Sequence, residues 1–295
     1  MGPQVTVIVP AFNSAETIAR SVNSVLRQSF HDFELIVVDD GSTDQTTRRL
    51  EKISDSRLKI VRHDRNRGAA AARNTGISKA GGRWIAFLDA DDEWRQEKLE
   101  RQIARLEGQP EIVKACATGY CLHKEKRKSL VRLDLTAARF KEDVLFGCTI
   151  SPGSTLLVAS DAFGRVGLFD EELRRLEDWD WLLRFSEHYD VTFVPEPLVD
   201  IYTLMPEGPA AATRYSMVKN ALDRLEQKNR LRFPSGVKRR QFLSSIFVEK
   251  AAALYNSGKN YAAIVNVLIS LSIYPNRNVA FFKTLWRSFL SRRAT

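Results

Sequence analysis

Sulfur is scarce in this chain: of its 295 residues only Cys116, Cys121 and Cys148 are cysteines, and no two have the Cys-x-x-Cys spacing. An odd count without paired spacing signals neither a disulfide framework nor a zinc site, and makes a reducing cytosol the simplest expected home. The four histidines, His31, His63, His123 and His188, are scattered without an i, i+4 pair. A histidine metal centre is therefore not expected. Long hydrophobic runs are also lacking, since the longest candidate, residues 261–273, is broken by Asn266 and serines. No spanning helix is expected. Met1 leads directly into an apolar strand pattern, without a basic leader or signal-like core. Gly-x-Gly-x-x-Gly does not follow the first strand, which excludes a dinucleotide-dependent dehydrogenase.

Acidic residues nearly stop after residue 205. Residues 206–295 hold 16 Lys and Arg against 4 Asp and Glu, so this segment alone exceeds the +9 of the whole chain. An acidic-to-neutral front part argues against a nucleic-acid enzyme, and no nucleic-acid partner is expected. The basic tail suits an anionic membrane surface or, more plainly, a solvated helical face.

What is present is an alternation. Residues 5–9 form a β-branched run, and residues 15–26 follow with Ile18, Val22, Val25 and Leu26 on one helical face. Strands at 35–38, 58–61 and 84–88 alternate with helices at 43–53 and 69–79. Strands that are apolar throughout imply an α/β fold, with a Rossmann-like, mostly parallel sheet covered by flanking helices. Further on, the pattern predicts a helix at 97–106, a strand at 113–119, a charged loop at 123–128, a strand at 151–158, a helix at 179–186 and a strand at 191–194. Pro195, Pro197, Pro206 and Pro209 then punctuate the chain. The boundary falls near 205–212, giving a domain over 1–208 and a basic, all-helical C-terminal domain over 209–295. Helices are expected there at 213–232, 237–256, 260–273 and 278–291, including one tetratricopeptide-like hairpin.

Ligands of such sheets bind beyond the carboxyl ends of the strands. Those positions hold Pro10-Ala-Phe-Asn13, Asp39-Asp40-Gly41-Ser42 and Asp89-Ala-Asp91-Asp92. Three carboxylates within four residues repel one another unless a cation compensates them. An all-oxygen set suits Mg²⁺ or Mn²⁺. Asp89 and Asp91 can face one site across the small Ala90.

Four segments, Val5-Thr-Val-Ile-Val-Pro-Ala-Phe-Asn13, Val37-Val-Asp-Asp-Gly-Ser-Thr-Asp44, Arg67-Gly68 with Ala72-Arg-Asn-Thr-Gly76, and Phe87-Leu-Asp-Ala-Asp-Asp92, resemble the family 2 glycosyltransferases of the GT-A fold. The resemblance covers about residues 4–205. It implies an inverting, metal-dependent transfer of sugar from a nucleotide-sugar donor, often a UDP-sugar, to the hydroxyl of a sugar or lipid-linked glycan acceptor. Carried over by position, Pro10, Ala11, Phe12 and Asn13 line the nucleotide pocket and Asp40 accepts from the base. Arg73 falls near the nucleotide or its phosphates. Asp89 and Ala90 lie near the ribose, with Asp89 toward the metal-bound water and Asp91 as direct ligand of Mg²⁺ or Mn²⁺. Ser42 or Thr43 caps the following helix.

Inversion needs a carboxylate base on the acceptor side, and the resemblance places it in Leu176-Glu-Asp-Trp-Asp-Trp181. Asp178 is the expected base. Glu177 holds an acceptor or an arginine, Asp180 points elsewhere, and Trp179 stacks on a sugar or fills the core. The Gln-x-x-Arg-Trp signature of processive synthases is missing, so a non-processive enzyme is implied, with cell-surface polysaccharide or lipopolysaccharide assembly as the expected setting. A non-catalytic nucleotide-sugar-binding scaffold on the same fold is the alternative. The tail run Phe281-Phe-Lys-Thr-Leu-Trp-Arg-Ser-Phe-Leu290 suggests peripheral contact with the inner face of the membrane.

Overall fold

The computed structural model describes residues 2–124, 127–148, 150–203 and 209–275. In the first part of the chain β1 (Val5–Ala11), α1 (Ile18–Leu26), β2 (Phe33–Asp39), α2 (Thr46–Leu50), β3 (Leu58–Arg62), α3 (Ala69–Lys79) and β4 (Trp84–Phe87) alternate. β1 lies in parallel register between β2 and β4, with Ala11 opposite Asp39 and Ile8 opposite Phe87. Both faces are covered, which explains strands without polar alternation. Val5, Val7 and Val9 pack with Ile18, Val22 and Val25 of α1. Ile36 and Val38 pack with Ala72 of α3 on the other side.

Beyond β4 the sheet becomes mixed. The order is β3-β2-β1-β4-β8-β6-β9-β5, with β7 paired to β6. The later elements are β5 (Glu93–Trp94), α4 (Lys98–Leu106), β6 (Val113–Lys124), β7 (Arg127–Val131), α5 (Ala137–Asp143), α6 (Pro152–Thr155), β8 (Leu156–Ala159), α7 (Ala162–Val166), α8 (Glu177–Phe185) and β9 (Asp190–Thr203). β6 and β9 are parallel. The β4/β8, β5/β9, β6/β7 and β6/β8 pairs are antiparallel.

Several local expectations change. The stretch read as a strand from 151 opens with a helical turn, because Ser151 is left-handed (φ 46°) and Pro152 starts a helix. Only Leu156–Ala159 is extended. The charged loop at 123–128 belongs to the β6/β7 hairpin, where Lys124 pairs with Arg127. β9 runs through Pro195 and Pro197, since register jumps from Thr118/Val194 to Gly119/Pro197 and lets the intervening residues bulge. α2 starts at Thr46 rather than 43, because the Asp44 carboxylate accepts the Thr46 backbone N–H at 2.9 Å. Neither Ser42 nor Thr43 caps it: Ser42 Oγ accepts from Asn13 N at 3.0 Å.

A second compact unit comprises Leu145–Gly147 and the C-terminal helices. Its helices are α9 (Pro209–Asn229), α10 (Gly236–Asn256) and α11 (Asn260–Ile273). Leu222, Leu225, Phe242, Ile246 and Val267 are buried in it. Ser244 Oγ meets Ser270 Oγ at 2.9 Å and Arg240 Nε donates to Ile273 O, so α10 and α11 run antiparallel as a hairpin. The helix expected at 278–291, and the 281–290 run within it, fall outside the described residues. Among the described residues no helix is long and apolar enough to cross a membrane.

Candidate active site

The three parallel strands β1, β2 and β4 end on the same edge of the sheet, and the polar segments that follow them are laced together. Asp40 N donates to Ala11 O at 2.8 Å, and Leu88 N donates to Ile8 O at 3.1 Å. In the first turn Asn13 adopts φ 48°. Its carboxamide oxygen accepts from Thr43 N at 2.9 Å, joining the two turns. Ala11 is buried, Pro10 is half-buried and Phe12 is 43% exposed, so Phe12 is the ring this turn offers to a ligand.

Asp40 is buried, and its carboxylate accepts the backbone N–H groups of Arg67 (2.9 Å) and Gly68 (2.7 Å) and faces His63 Nδ1 at 2.7 Å. His63 Nε2 in turn meets Thr75 Oγ1 at 2.9 Å. The loop into α3 is therefore folded around this carboxylate. The pairing sequence of His63 gave no hint of that role, because its partners lie 23 and 12 residues away.

The Asp89–Asp92 turn is held from beneath. Ser21 Oγ donates toward Ala90 O (2.8 Å) and Asp92 O (2.6 Å), and Arg20 donates to Asp91 O. Ala90 itself is buried, and its carbonyl is taken by Ser21. The three carboxylates have different surroundings. Asp92 points inward, bonded by Ser154 Oγ and, at 3.1 Å, by Tyr202 N. Burial and the Asp89 charge push it up to about 8, which keeps it largely protonated near neutrality. Asp89 accepts from Arg73 Nη2 at 2.8 Å. Asp91 faces solvent, and among the described residues no side-chain donor reaches its carboxylate. Partial desolvation of the carboxylate by the turn around it, and then the Asp89 charge, raise its pKa. A solvent-facing carboxylate destabilised by its neighbour fits a hard divalent cation. The three do not converge as one ligand set, because among the described residues that geometry occurs at Cys121, His123 and Asp200 instead. Asp89 and Asp91 would thus hold the ion with one or two carboxylates, as Mg²⁺ and Mn²⁺ sites commonly do.

α3 explains its own motif. Gly76 lies so close to β1 that a Cβ there would sit 2.4 Å from Ile8 Cγ2. This approach aims Arg73 and Asn74 at the next loop. Asn74 Nδ2 donates to Phe169 O at 2.9 Å, and Phe169 N donates back at 3.0 Å. Arg73, buried, splits its guanidinium between Asp89 and Glu177, with Nη1 2.6 Å from Glu177 Oε1. The two carboxylates hold Arg73 charged despite burial. Arg73 thus joins two acidic segments 88 positions apart in the chain, a link that no local spacing reveals.

Glu177 and Asp178 open α8, immediately after Leu176, whose φ is +63°. Leucine in the left-handed region is strained, and Asn13, Ser151 and Leu176 are the non-glycine residues with positive φ among those described. Asp178 shares the first turn with Glu177 and accepts from Trp179 N at 2.7 Å. Burial, reinforced by Glu177 and opposed by Arg73, lifts its pKa to about 6. Cys148 lies against the same carboxylate, and burial with that charge holds its thiol well above the ordinary range. Trp179 does not stack on a sugar: it is 1% exposed and its Nε1 donates to Val144 O at 2.6 Å, which places it in the core. Asp180 turns away, paired with Arg184 at 3.0 Å. Trp181 packs against Phe185, with ring centroids 5.1 Å apart.

Comparison with known proteins bears on this geometry. The family model described as Glycosyl transferase family 2 matches residues 6–156. The putative teichuronic acid biosynthesis glycosyltransferase TuaG of Bacillus subtilis is 34% identical over 194 residues, spanning 62% of this chain and 73% of that protein. The UDP-Glc:alpha-D-GlcNAc-diphosphoundecaprenol beta-1,3-glucosyltransferase WfgD of Escherichia coli is 46% identical over 102 residues, 35% of this chain and 40% of its own length. Some curated relatives are therefore matched over less than half their length. The mannosyltransferase PcManGT of Pyrobaculum calidifontis, solved with GDP-Man and Mn²⁺, resembles the chain with a TM-score of 0.60 at 21% identity, over 98% of this chain and 81% of that one. That likeness is one of fold: a mixed sheet with flanking helices similar to GT-A structures, with C-terminal helices.

Proposed function

Because the chain belongs to glycosyl transferase family 2, we propose that it transfers a sugar, with inversion, from a nucleoside-diphosphate sugar to an acceptor hydroxyl. The observation that carries this reading is the Arg73 bridge, with 2.8 Å to Asp89 and 2.6 Å to Glu177. It draws the acidic turn after β4 and the first turn of α8 to one place, so a donor held at the former meets Asp178 beside it.

In this reading the Pro10–Asn13 turn and the Asp40 loop cradle the nucleoside, with Phe12 against the base, which is uracil in a relative that uses UDP-Glc. Asp91, with Asp89, holds Mg²⁺ or Mn²⁺. When bound, such an ion supplies positive charge that offsets the charge developing on the departing diphosphate. Asp178 takes the hydroxyl proton while the acceptor oxygen bonds to the anomeric carbon, and the bond to the diphosphate breaks on the opposite face with its electron pair. A pKa of about 6 leaves Asp178 ionised yet basic near neutral pH. Glu177 serves as the acceptor-side anchor for Arg73.

The acceptor proposed is a sugar or lipid-linked glycan, in cell-surface polysaccharide or lipopolysaccharide assembly. Relatives named for teichuronic acid biosynthesis and for a diphosphoundecaprenol acceptor support that class. A peripheral position on the inner face of the membrane suits a lipid-linked acceptor. It is supported by the basic C-terminal segment and by α11, a helix without charged residues that exposes Tyr261, Val265, Leu268 and Ile269.

The test is release of nucleoside diphosphate from UDP-, GDP- and dTDP-sugars with a lipid-diphosphate glycan acceptor, with and without Mn²⁺. Metal-dependent release from one donor, with an inverted anomeric product, is expected. A retained anomeric configuration, or no metal-dependent binding of any nucleotide, would overturn the reading.

A further inference from the structure

A second constellation lies on the strands β6 and β9, built from residues the reaction above does not use. Cys121 and His123 stand two apart on β6 and so leave the same face of the strand. Asp200 of β9 lies opposite Cys121 in parallel register. The thiol sulfur, an imidazole nitrogen and a carboxylate oxygen of these three all lie within 4.8 Å of one another. Cys121 and Asp200 are buried, while the His123 side chain keeps 25% of its surface and opens the group to solvent.

The surroundings hold the donors in place. His123 Nε2 is 2.7 Å from Asp200 Oδ1, and Arg95 Nη2 is 2.8 Å from Asp200 Oδ2. The imidazole stacks on Tyr202 with centroids 4.6 Å apart. A carboxylate oriented by a further hydrogen bond, and a ring fixed by stacking, are the supports that metal ligands usually have.

We propose that Cys121, His123 and Asp200 form a thiolate-containing site for a borderline-soft divalent cation of the Zn²⁺ class, separate from the hard-oxygen site at Asp89 and Asp91. Sulfur and nitrogen donors favour Zn²⁺ over Mg²⁺ or Mn²⁺. Bonds of about 2.0–2.3 Å place tetrahedral donors roughly 3.3–3.8 Å apart, so the sulfur moves in by about 1.5 Å at most while the His123–Asp200 pair, now 2.7 Å apart, opens by about 0.6 Å. On binding, the thiol proton leaves to solvent and the imidazole proton between Nε2 and Asp200 moves to Nδ1. Thiolate and carboxylate then balance the two charges of the ion, Arg95 keeps its bond to Oδ2, and one coordination position remains for water. The site is coupled to the acidic turn, because Tyr202, on which His123 stacks, donates its backbone N–H to Asp92.

This inference stands independently of the transferase reading. Its test is Co²⁺ titration of the reduced, chelator-stripped full chain, read by the thiolate-to-cobalt charge-transfer band in the near ultraviolet. One equivalent is expected, displaced by Zn²⁺ but not by equal Mn²⁺. Cys121→Ala abolishes the band, and His123→Gln, at the partly exposed position, weakens binding by about tenfold or more. Cys148→Ser and Asp91→Ala leave the band intact. No thiolate band in the wild type, a band that survives Cys121→Ala, or one lost in Cys148→Ser would overturn the assignment.

Discussion

Replacing Asp178 by Asn separates two consequences of one buried charge. The substitution keeps the side-chain shape and the oxygen that accepts Trp179 N, but removes the base. General-base catalysis contributes about 10²–10⁴ in rate, so kcat is expected to fall by about that factor. Stability moves the other way. The folded protein raises this carboxyl to about 6, from about 4 in an unfolded chain, and two units correspond to roughly 3 kcal/mol. A raised pKa favours folding while the group is protonated, and that advantage is lost as pH climbs through about 6. The variant should therefore match the wild type below about pH 4 and exceed it by up to about 3 kcal/mol above pH 7, with a melting gain of about 2–4 °C per kcal/mol. Paired melting curves at pH 4 and pH 8, with steady-state turnover at pH 8, measure both. Wild-type turnover within about tenfold, or a lower melting temperature at pH 8, would refute the reasoning. The wild-type rate should also rise along an acid limb centred near pH 6.

Other perturbations follow from the same geometry. Asp91→Asn should weaken Mn²⁺-dependent donor binding about 10- to 100-fold in calorimetry, while leaving metal-free binding equal to that of the wild type. Gly153→Ala puts a Cβ 2.6 Å from Asp89 Oδ2. It should swing Asp89 off Arg73 and lower kcat/KM about tenfold or more, with a smaller loss in melting temperature than Arg73→Met gives, since Arg73 keeps Glu177 and the displaced Asp89 side chain is 40% exposed. Arg73→Met leaves Glu177 buried without its cation, and denaturant unfolding should register a loss of about 3 kcal/mol; unchanged stability would show that the bridge does not hold the site.

The parts of the fold legible in the sequence are those where local pattern and tertiary environment agree. The doubly covered strands β1, β2 and β4 read as apolar runs, and α3 keeps its boundaries at Ala69 and Lys79. The acidic turn was legible as a concentration of like charge in a place where charge is costly. What was not legible depends on distant partners. β9 passes two prolines because β6 tolerates a bulge. The stretch after Ser151 turns before it extends because one residue is left-handed. Trp179 carries a polar edge that suits a sugar as well as a core, and only the Val144 carbonyl decides between them. The bond from Arg73 to Glu177, 104 residues on, has no trace in the sequence around either residue. The Cys121, His123 and Asp200 group is invisible for the same reason, since register and not spacing assembles it.

The order of strands in the sheet also sets a timetable for synthesis. β1 to β4 can pair as soon as they leave the ribosome, because each finds its neighbour among segments already made. β6 is the exception: it waits between β8 and β9, and the short β5, next to the acidic turn, pairs with β9. Until about residue 203 has emerged, the nascent chain carries a sheet with an open edge and Asp92 without Tyr202, and until Glu177 has emerged Arg73 lacks its second carboxylate. The acidic turn therefore exists as sequence well before it exists as a site, and ribosome stalling between β8 and β9 would expose the β6 edge to wrong partners.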